Sequence, residues 1–288
     1  RSIMILFEDR AASVLYKVLK SINNNNFLLP LNICPIVPDT FIKAGKQFEF
    51  IDINLDTLCI DEDFLLNKIK LDRAIGGLLF VKTFGINFDT QPLYKKIKEI
   101  NTSIFIIDDM CPCIPQFDYD IENSYASMAL FSSGYSKYVD IGYGGYGFLK
   151  FKDFNKIFKD KSRTEEFLEY KKKIMKQLPL VKKHKDTLNK IYKNNIPEQF
   201  QLGDRFSNWR FSILVYNKIE VLEEIQKVNT LFASSHYPQI DYNYVDKPLQ
   251  NSNTNKIYNN IINLFNDFRF SAEQANKVVE IINRYTRV

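Results

Sequence analysis

The sequence predicts an α/β fold in which crossover helices join the strands of a parallel sheet. Up to about Phe151, short apolar runs rich in β-branched and aromatic residues alternate with amphipathic stretches. This alternation is typical of parallel strands and their connecting helices. After Phe151 the chain becomes rich in lysine and free of glycine over a long helical stretch. The 288 residues, 45% of them hydrophobic, suffice for a substantial core.

The first part of the chain contains the alternating elements. The predicted strands are Phe27–Leu29, Phe48–Ile53, Gly77–Val81, Ile104–Ile107, Ala126–Phe131 and Tyr146–Phe151. The predicted helices are Ala11–Ile22, Pro38–Ala44, Asp61–Lys70 and Gln91–Ile100. Thr90 followed by Pro92 fits an N-cap with proline in the first helical turn.

The second part of the chain predicts a smaller α+β domain. A long helical region begins near Thr164 and is expected to be interrupted at Pro179. A strand at Phe211–Tyr216 and a helix near Ile219–Val228 follow, while the polar stretch Asn251–Asn255 is predicted to be a loop. Ser271 and Gln274 form a capping box for the last helix. We divide the chain into a large domain, residues 1–185, and a small domain, residues 186–288.

Composition argues against several classes of protein. The net charge of +5 comes from scattered lysines without an arginine-rich block, so nucleic-acid binding is not expected. The four cysteines, Cys34, Cys59, Cys111 and Cys113, lack zinc-site spacing and the chain has two histidines, so no metal site is expected. Neither a secretory leader nor an apolar run of membrane-spanning length is found. A cytoplasmic protein without membrane partners is therefore expected.

Two carboxylates, Asp108 and Asp109, follow directly on the predicted strand Ile104–Ile107. Ligands of α/β sheets collect beyond the carboxyl ends of the strands. A strand-end acid can bind magnesium, transfer protons or hold the protonated nitrogen of a pyridine ring. It can equally cap the turn that follows.

A loop dense in hydroxyl groups and glycines runs from Phe131 to Gly147 and contains a single lysine, Lys137. Hydroxyls and backbone amides bind phosphate, and a lysine whose pKa the site lowers can form an imine with an aldehyde. The glycines follow the lysine, so the spacing is not that of a P-loop. A glycine-rich turn with a solvated lysine is the alternative.

Together the two segments resemble the DegT/DnrJ/StrS sugar aminotransferase family of fold-type-I enzymes dependent on pyridoxal phosphate. The resemblance extends over nearly the whole chain. It rests on Asp109, Ser132, Lys137 and Gly144-Gly145, and on landmarks in the same order: Leu29-Pro30, Ala44-Gly45, Phe50-Ile51-Asp52, Thr83-Phe84-Gly85 and His236-Tyr237-Pro238. It implies a mostly parallel central sheet flanked by helices, with a smaller α+β C-terminal domain.

The resemblance also implies roles for individual residues. Lys137 would form the Schiff base with pyridoxal phosphate and act as the acid and base, while Asp109 would bind the ring nitrogen. The phosphate would be held by residues of two segments, namely Arg10, Ala11, Ser132 and Ser133. His236 and Arg210 are the candidates for contact with substrate.

Several positions depart from the family pattern. Asp9-Arg10-Ala11 stands where the family has a Gly-Thr loop, and Pro112 stands where a Gln or His packs beside the cofactor. No aromatic residue occurs between Leu31 and Pro35 to stack on the ring, and no Gly-x-Asn-x-Arg loop is found in Glu165–Lys185.

The resemblance implies an aminotransferase that moves an amino group, from glutamate, to a keto-sugar nucleotide or a smaller keto compound for surface-glycan synthesis. A homodimer is expected as well. The family's dehydratases carry histidine in place of Lys137, which disfavours that reaction. Two other hypotheses remain: a non-catalytic relative that binds a ligand or partner, and an unrelated enzyme in which Asp108 and Asp109 hold magnesium.

Overall fold

The structure is a computed structural model that describes residues 4–150, 162–206 and 209–286. Its larger sheet has seven strands: β1 (Met4–Glu8), β2 (Phe27–Pro30), β3 (Phe48–Ile51), β4 (Gly77–Val81), β5 (Phe105–Asp109), β6 (Met128–Ser132) and β7 (Gly145–Leu149). The helices between them are α1 (Ala11–Ser21), α2 (Ile36–Ala44), α3 (Glu62–Leu71) and α4 (Gln91–Ile100).

The strand order of this sheet is β1-β7-β6-β5-β4-β2-β3. Every neighbouring pair is parallel except the two that include β7, which runs antiparallel to β1 and to β6. The carboxyl ends of β1, β5 and β6 and the amino end of β7 therefore lie at one edge of the sheet. Parallel strands covered on both faces are apolar throughout, and all residues of β4 to β7 are buried.

Helices cover both faces of the sheet. Alternation along each strand sends neighbouring side chains into two separate cores. One core packs the inner sides of α1 and α2 against the sheet, and the other packs α3, α4 and the start of the long helix α5 (Ser162–Asn195). The fold-class prediction, a mostly parallel sheet between layers of helices, is confirmed.

A second sheet, antiparallel and of order β8-β10-β9, follows α5. It consists of β8 (Phe211–Leu214), β9 (Ala233–Ser234) and β10 (Ile261–Leu264), together with α6 (Lys218–Gln226), α7 (Asn253–Tyr258) and α8 (Ala272–Thr286). A third core joins this sheet to α8 and to the second half of α5. The predicted boundary at residue 185 falls inside α5, so the division into two domains stays a prediction.

Three elements of the structure differ from the sequence predictions. β1 was not predicted. α5 continues through Pro179, where the proline removes one hydrogen bond from a helix of 34 residues that is anchored along both halves. The predicted loop Asn251–Asn255 contains the start of the helix Asn253–Tyr258, because Ser252 caps this helix and the Asp52 carboxylate accepts hydrogen bonds from the amides of Asn253 and Thr254.

Both predicted N-cap residues occupy the N-cap position, but only one of them makes capping hydrogen bonds. The capping box of α8 is confirmed, since Ser271 Oγ accepts from Gln274 N at 3.1 Å and Gln274 Oε1 accepts from Ser271 N at 2.7 Å. Thr90 occupies the N-cap position of α4, but its side chain makes no capping bond. In the described part of the chain no helix is long and apolar enough to cross a membrane.

Candidate active site

A cavity of about 430 Å³ opens at the sheet edge where β1, β5 and β6 end. Its wall is formed by residues of β5 and β6, by the segments that follow β1 and β2, and by the loop after β9. The residues that line the cavity include Arg10, Ala11, Asn32, Cys34, Asp109, Pro112, Ser132, Lys137 and Tyr237. The structure thus brings the two segments singled out in the sequence, around Asp109 and Lys137, to one place.

Asp109, the last residue of β5, faces the cavity and is 5% exposed. Its Oδ1 accepts a hydrogen bond from Cys111 N at 2.9 Å, which fixes the carboxylate at the mouth of the turn. Burial raises the pKa of Asp109, while the bond from Cys111 and the nearby Lys137 amine lower it. A buried carboxylate with one protein donor is suited to a cationic partner in the cavity.

Asp108 lies on the opposite face of the sheet, because adjacent strand residues point to opposite sides. Its two oxygens accept hydrogen bonds from Tyr94 Oη at 2.9 Å and Tyr119 Oη at 3.2 Å. Asp108 and Asp109 therefore cannot hold one magnesium ion. No cluster of three or more metal-ligating side chains occurs in the described ranges either, and the magnesium hypothesis is wrong in its geometry.

One end of the cavity presents groups that bind anions. α1 begins here with Ala11, and the first amides of a helix have no acceptor within the helix. Ser132, which ends β6, and Arg10, which precedes α1, line the same end. A Cβ added to Gly134 would lie 3.5 Å from Ser132 Oγ and 3.6 Å from Arg10 Nη1. A side chain at position 134 would fill the space between these two donors.

Glycine allows this end of the cavity to form. A Cβ at Gly145, the first residue of β7, would lie 2.1 Å from Ala11 N. Only glycine lets the start of α1 approach the sheet so closely. The Gly144-Gly145 pair therefore positions the amides of α1 against the loop that carries Ser132 and Lys137.

Asp9 and Ser133, the sequence neighbours of Arg10 and Ser132, do not line the cavity. The Asp9 side chain is 78% exposed and pairs with Arg163 Nη1 at 3.2 Å, outside the cavity. Its charge is thus turned away from the anion-binding end. Ser133 is buried and its hydroxyl contacts Tyr143 O at 3.0 Å and Tyr170 Oη at 2.6 Å. Ser133 does not line the cavity, so the structure gives it a packing role in place of the predicted phosphate contact.

Lys137 projects into the cavity from the loop after β6. The loop is held by Lys137 N donating to Gly134 O at 3.3 Å and by Trp209 Nε1 donating to Ser136 O. Burial alone lowers the pKa of the amine. The acidic groups around it, first Tyr237, outweigh burial and raise the pKa of Lys137 overall.

Tyr237 is a cavity residue to which the sequence analysis gave no role. Its ring stacks on Trp209 with centroids 6.3 Å apart and lies 5.7 Å from Phe84. The sequence signal for Tyr237 was its place in the His236-Tyr237-Pro238 landmark. Tyr237 supplies an aromatic ring to the cavity, whereas the segment Leu31–Pro35 has none.

His236 and Arg210, the predicted substrate residues, do not line the cavity. The His236 ring packs between Trp209 and Tyr237, at centroid distances of 5.7 and 5.4 Å. Arg210 is 5% exposed, lies over the Phe265 ring at 3.5 Å and has Nη1 3.6 Å from Asp267. Burial lowers the pKa of Arg210 to about 10. These contacts hold the Arg210 guanidinium against the segment that follows β10, away from the cavity.

Lys185 of α5 is a buried amine behind the Lys137 loop. Its Nζ donates to Trp209 O at 2.9 Å and to Asn266 Oδ1 at 2.8 Å, and it lies 5.0 Å from the Tyr138 ring centroid. Burial, assisted by Arg210, lowers the pKa of Lys185 to about 7. The amine is therefore about half protonated at neutral pH.

This lowered pKa predicts a pH dependence of stability. Above pH 7 the folded chain releases the Lys185 proton, whereas the unfolded chain keeps it up to its ordinary pKa of about 10.5. The unfolded state binds more protons in this window, so stability rises with pH. We expect the free energy of unfolding to increase by roughly 2 kcal/mol between pH 7 and pH 9.

Urea denaturation of the intact chain and of Lys185→Met at both pH values measures this increase. The variant should show a flatter dependence, because it has no proton to release. An equal increase in both proteins would assign the effect to other groups.

No protein-family model matches the chain, and no curated protein matches it in sequence. Solved structures do match it, over nearly its whole length. PseC of Helicobacter pylori, an aminotransferase involved in the biosynthesis of pseudoaminic acid, is 17% identical with a TM-score of 0.74, covering 98% of this chain and 86% of its own. A DegT/DnrJ/EryC1/StrS aminotransferase of Brucella abortus is 13% identical, with a TM-score of 0.70 and coverages of 98% and 86%.

A third match extends the range of reactions. The GDP-4-keto-6-deoxy-D-mannose-3-dehydratase of E. coli, with bound hydrated PLP, is 14% identical with a TM-score of 0.69, covering 96% of this chain and 87% of its own. The chain has the fold of these enzymes. At such identities the likeness concerns the fold, which hosts both amino transfer and dehydration, so the residues of the cavity must indicate the reaction.

Proposed function

We propose that this chain is an aminotransferase dependent on pyridoxal phosphate, with Lys137 as the residue that links to the cofactor. The observation that carries the proposal is the meeting of three groups in one cavity: the buried carboxylate of Asp109, the amine of Lys137, and the anion-binding end formed by Arg10 and Ser132. The shared fold supports it.

The cavity fits the cofactor at both ends. Arg10, Ser132 and the first amides of α1 would bind the phosphate, in the space that a side chain at Gly134 would fill. Asp109 would hold the ring nitrogen as its ion-pair partner. When bound, pyridoxal phosphate supplies an aldehyde that links to amines and a ring that withdraws electrons from the attached carbon.

Lys137 would carry the covalent link and move a proton at the reacting carbon. A neutral amine is required for both tasks, yet Tyr237, Cys111 and Asp109, in that order, outweigh burial and raise the pKa of Lys137. Asp109, once paired with a cationic ring nitrogen, would contribute less to this rise.

The residues that depart from the family pattern still form a cavity that can hold a flat ring. Val81, Leu130, Cys34 and Pro112 form apolar walls that would contact the faces of a flat ring. Asn32 also lines the cavity, and its buried Oδ1 has no hydrogen-bond partner among the residues that the structure describes. An unpaired buried acceptor is costly, so we infer that a donor on the bound ligand meets it.

The same family likeness supports the finer assignments. Glutamate is the proposed amino donor, and a keto-sugar nucleotide or smaller keto compound the acceptor, with a product used in surface glycans. Burial, assisted by the charges of Arg210 and Lys137, lowers the pKa of His236. His236, whose ring packs against the cavity residue Tyr237, is the proposed contact to substrate. We further propose a cytoplasmic homodimer.

Ser132 and its neighbour form a matched pair for testing the phosphate end. Ser132→Ala should weaken binding of pyridoxal phosphate by roughly tenfold or more, because a hydrogen bond to a charged group is lost. Ser133→Ala should leave the affinity unchanged and lower stability by about 1 to 2 kcal/mol, through its buried bonds to Tyr143 and Tyr170. Equilibrium dialysis and urea denaturation measure the two quantities; equal losses of affinity would remove Ser132 from the site.

The half-reaction with an amino donor tests the function. The chain loaded with pyridoxal phosphate is mixed with L-glutamate, and 2-oxoglutarate and pyridoxamine phosphate are quantified. We expect about one equivalent of each per chain, followed by discharge to one member of a panel of keto-sugar nucleotides. Tight cofactor binding without turnover of any donor would instead support the non-catalytic ligand-binding relative.

A further inference from the structure

We propose that the exposed face of α5 binds to the anionic surface of a lipid bilayer. Residues 171 to 190 contain eight lysines and one aspartate. This excess of positive charge is larger than the +5 of the entire chain, so the remaining sequence is acidic on balance. The positive charge is therefore concentrated on one helix. The description of the lysines as scattered along the chain does not hold for this segment.

The lysines of this face are free to meet an external anion. Five of them are exposed and form no ion pair with any carboxylate that the structure describes: Lys173, Lys176, Lys182, Lys183 and Lys190. Asp186 is the single carboxylate among these residues. None of the five lines the candidate active site.

Helical spacing arranges three of these lysines in a row. Lys176, Lys183 and Lys190 are seven residues apart, which is nearly two turns of an α-helix, so they lie on one side of α5. At about 1.5 Å per residue the row is roughly 21 Å long. A straight row of cations fits a flat anionic surface better than it fits a compact ligand.

Exposed apolar side chains occur on α5 between and beside these lysines. Met175 is 56% exposed and Leu180 is 68% exposed, and Pro179 between them is exposed as well. Apolar groups beside lysines on an exposed helix are typical of helices that lie in the headgroup region of a bilayer. Nucleic-acid surfaces favour arginines and stacking rings, whereas α5 has no arginine after Arg163 and its Tyr170 and Tyr192 are buried.

Vesicle binding by the full chain tests the proposal. Sedimentation with vesicles of phosphatidylcholine, with and without phosphatidylglycerol, is compared for the unmodified chain and for the triple variant Lys176→Gln, Lys183→Gln, Lys190→Gln. The unmodified chain should bind only the anionic vesicles and detach in high salt. The triple variant should bind them at least tenfold more weakly, given the contribution of each lysine near a charged bilayer.

A second triple variant controls for net charge. Lys20, Lys43 and Lys70 are exposed on three other helices and form no ion pair in the described ranges; their change to Gln should weaken binding much less. An equal loss in both triple variants would overturn the proposal. So would absence of binding to anionic vesicles, tighter binding to duplex DNA than to vesicles, or a change in oligomeric state confined to the α5 variant.

Covalent loading with pyridoxal phosphate is measured on all three proteins and should be equal. This readout shows that the variants are folded. It also separates the two proposals, because loss of vesicle binding with normal cofactor loading bears on α5 alone.

Discussion

Replacing Lys137 with alanine is expected to abolish the covalent link to pyridoxal phosphate and to lower the rate of amino transfer by roughly ten-thousand-fold. The amine is the nucleophile of the cavity and its base, and the loss of a group with both tasks removes two contributions at once. The other contacts of the cavity, Arg10, Ser132 and Asp109, remain. The variant should therefore still bind the cofactor, without the absorbance band that borohydride fixes.

Lys137→Arg is the control that keeps the positive charge. It should lose the link and the activity as fully as the alanine variant, because a guanidinium stays protonated at any accessible pH. Visible absorbance and single-turnover kinetics measure both variants. Residual activity within tenfold of the intact chain in either of them would place the reacting amine elsewhere.

Asp109→Asn is the second change with a large expected effect. The amide cannot carry the negative charge that keeps a ring nitrogen protonated, so we expect the rate of amino transfer to fall by about a hundredfold to a thousandfold. The folded structure should persist, since asparagine can still accept the bond from Cys111 N. Affinity for pyridoxal phosphate, measured by dialysis, should fall together with the rate.

Asp108→Asn is a control of the same chemistry one residue away. Asp108 is buried on the other face of β5 and accepts bonds from Tyr94 and Tyr119. The change should cost about 1 to 3 kcal/mol of stability through mismatched buried hydrogen bonds, with little effect on the rate per folded chain. A larger loss of rate in Asp108→Asn than in Asp109→Asn would reverse the assignment of the two carboxylates.

The sequence contained most of the information for the large sheet. Its buried strands are continuous apolar runs between amphipathic helices, and β2 to β7 were each predicted within a few residues of their place. β1 was missed because Met4–Glu8 joins the sheet through the antiparallel pairing with β7, a contact between residues far apart in sequence. Local periodicity does not carry such information.

The amino-terminal ends of α7 and α8 show the same difference between local and distant contacts. The cap of α8 is made by residues three positions apart, Ser271 and Gln274, and was predicted. α7 also has a local cap, Ser252, but its first two amides, those of Asn253 and Thr254, donate to the carboxylate of Asp52, about two hundred residues earlier in the chain. A polar stretch of asparagines gives no local sign that such a partner exists.

Some residues of the candidate site could be identified from sequence motifs, and others could not. Asp109, Ser132 and Lys137 could be identified because each follows a recognisable strand or lies in a dense loop. Tyr237 and the outward turn of the Asp9 side chain required the tertiary structure. Ser132 and Ser133 are adjacent and equal in chemistry, and only their opposite orientations in the fold distinguish a cavity residue from a packing residue.

The most direct test of the account is to find the residue that pyridoxal phosphate modifies. The purified chain is loaded with the cofactor, reduced with borohydride and digested, and the peptide that carries the phosphopyridoxyl group is sequenced by mass spectrometry. Modification of Lys137 alone, prevented by Lys137→Ala, is the result predicted. Modification spread over the exposed lysines of α5, with Lys137 unmodified, would contradict the assignment of the cavity as the cofactor site.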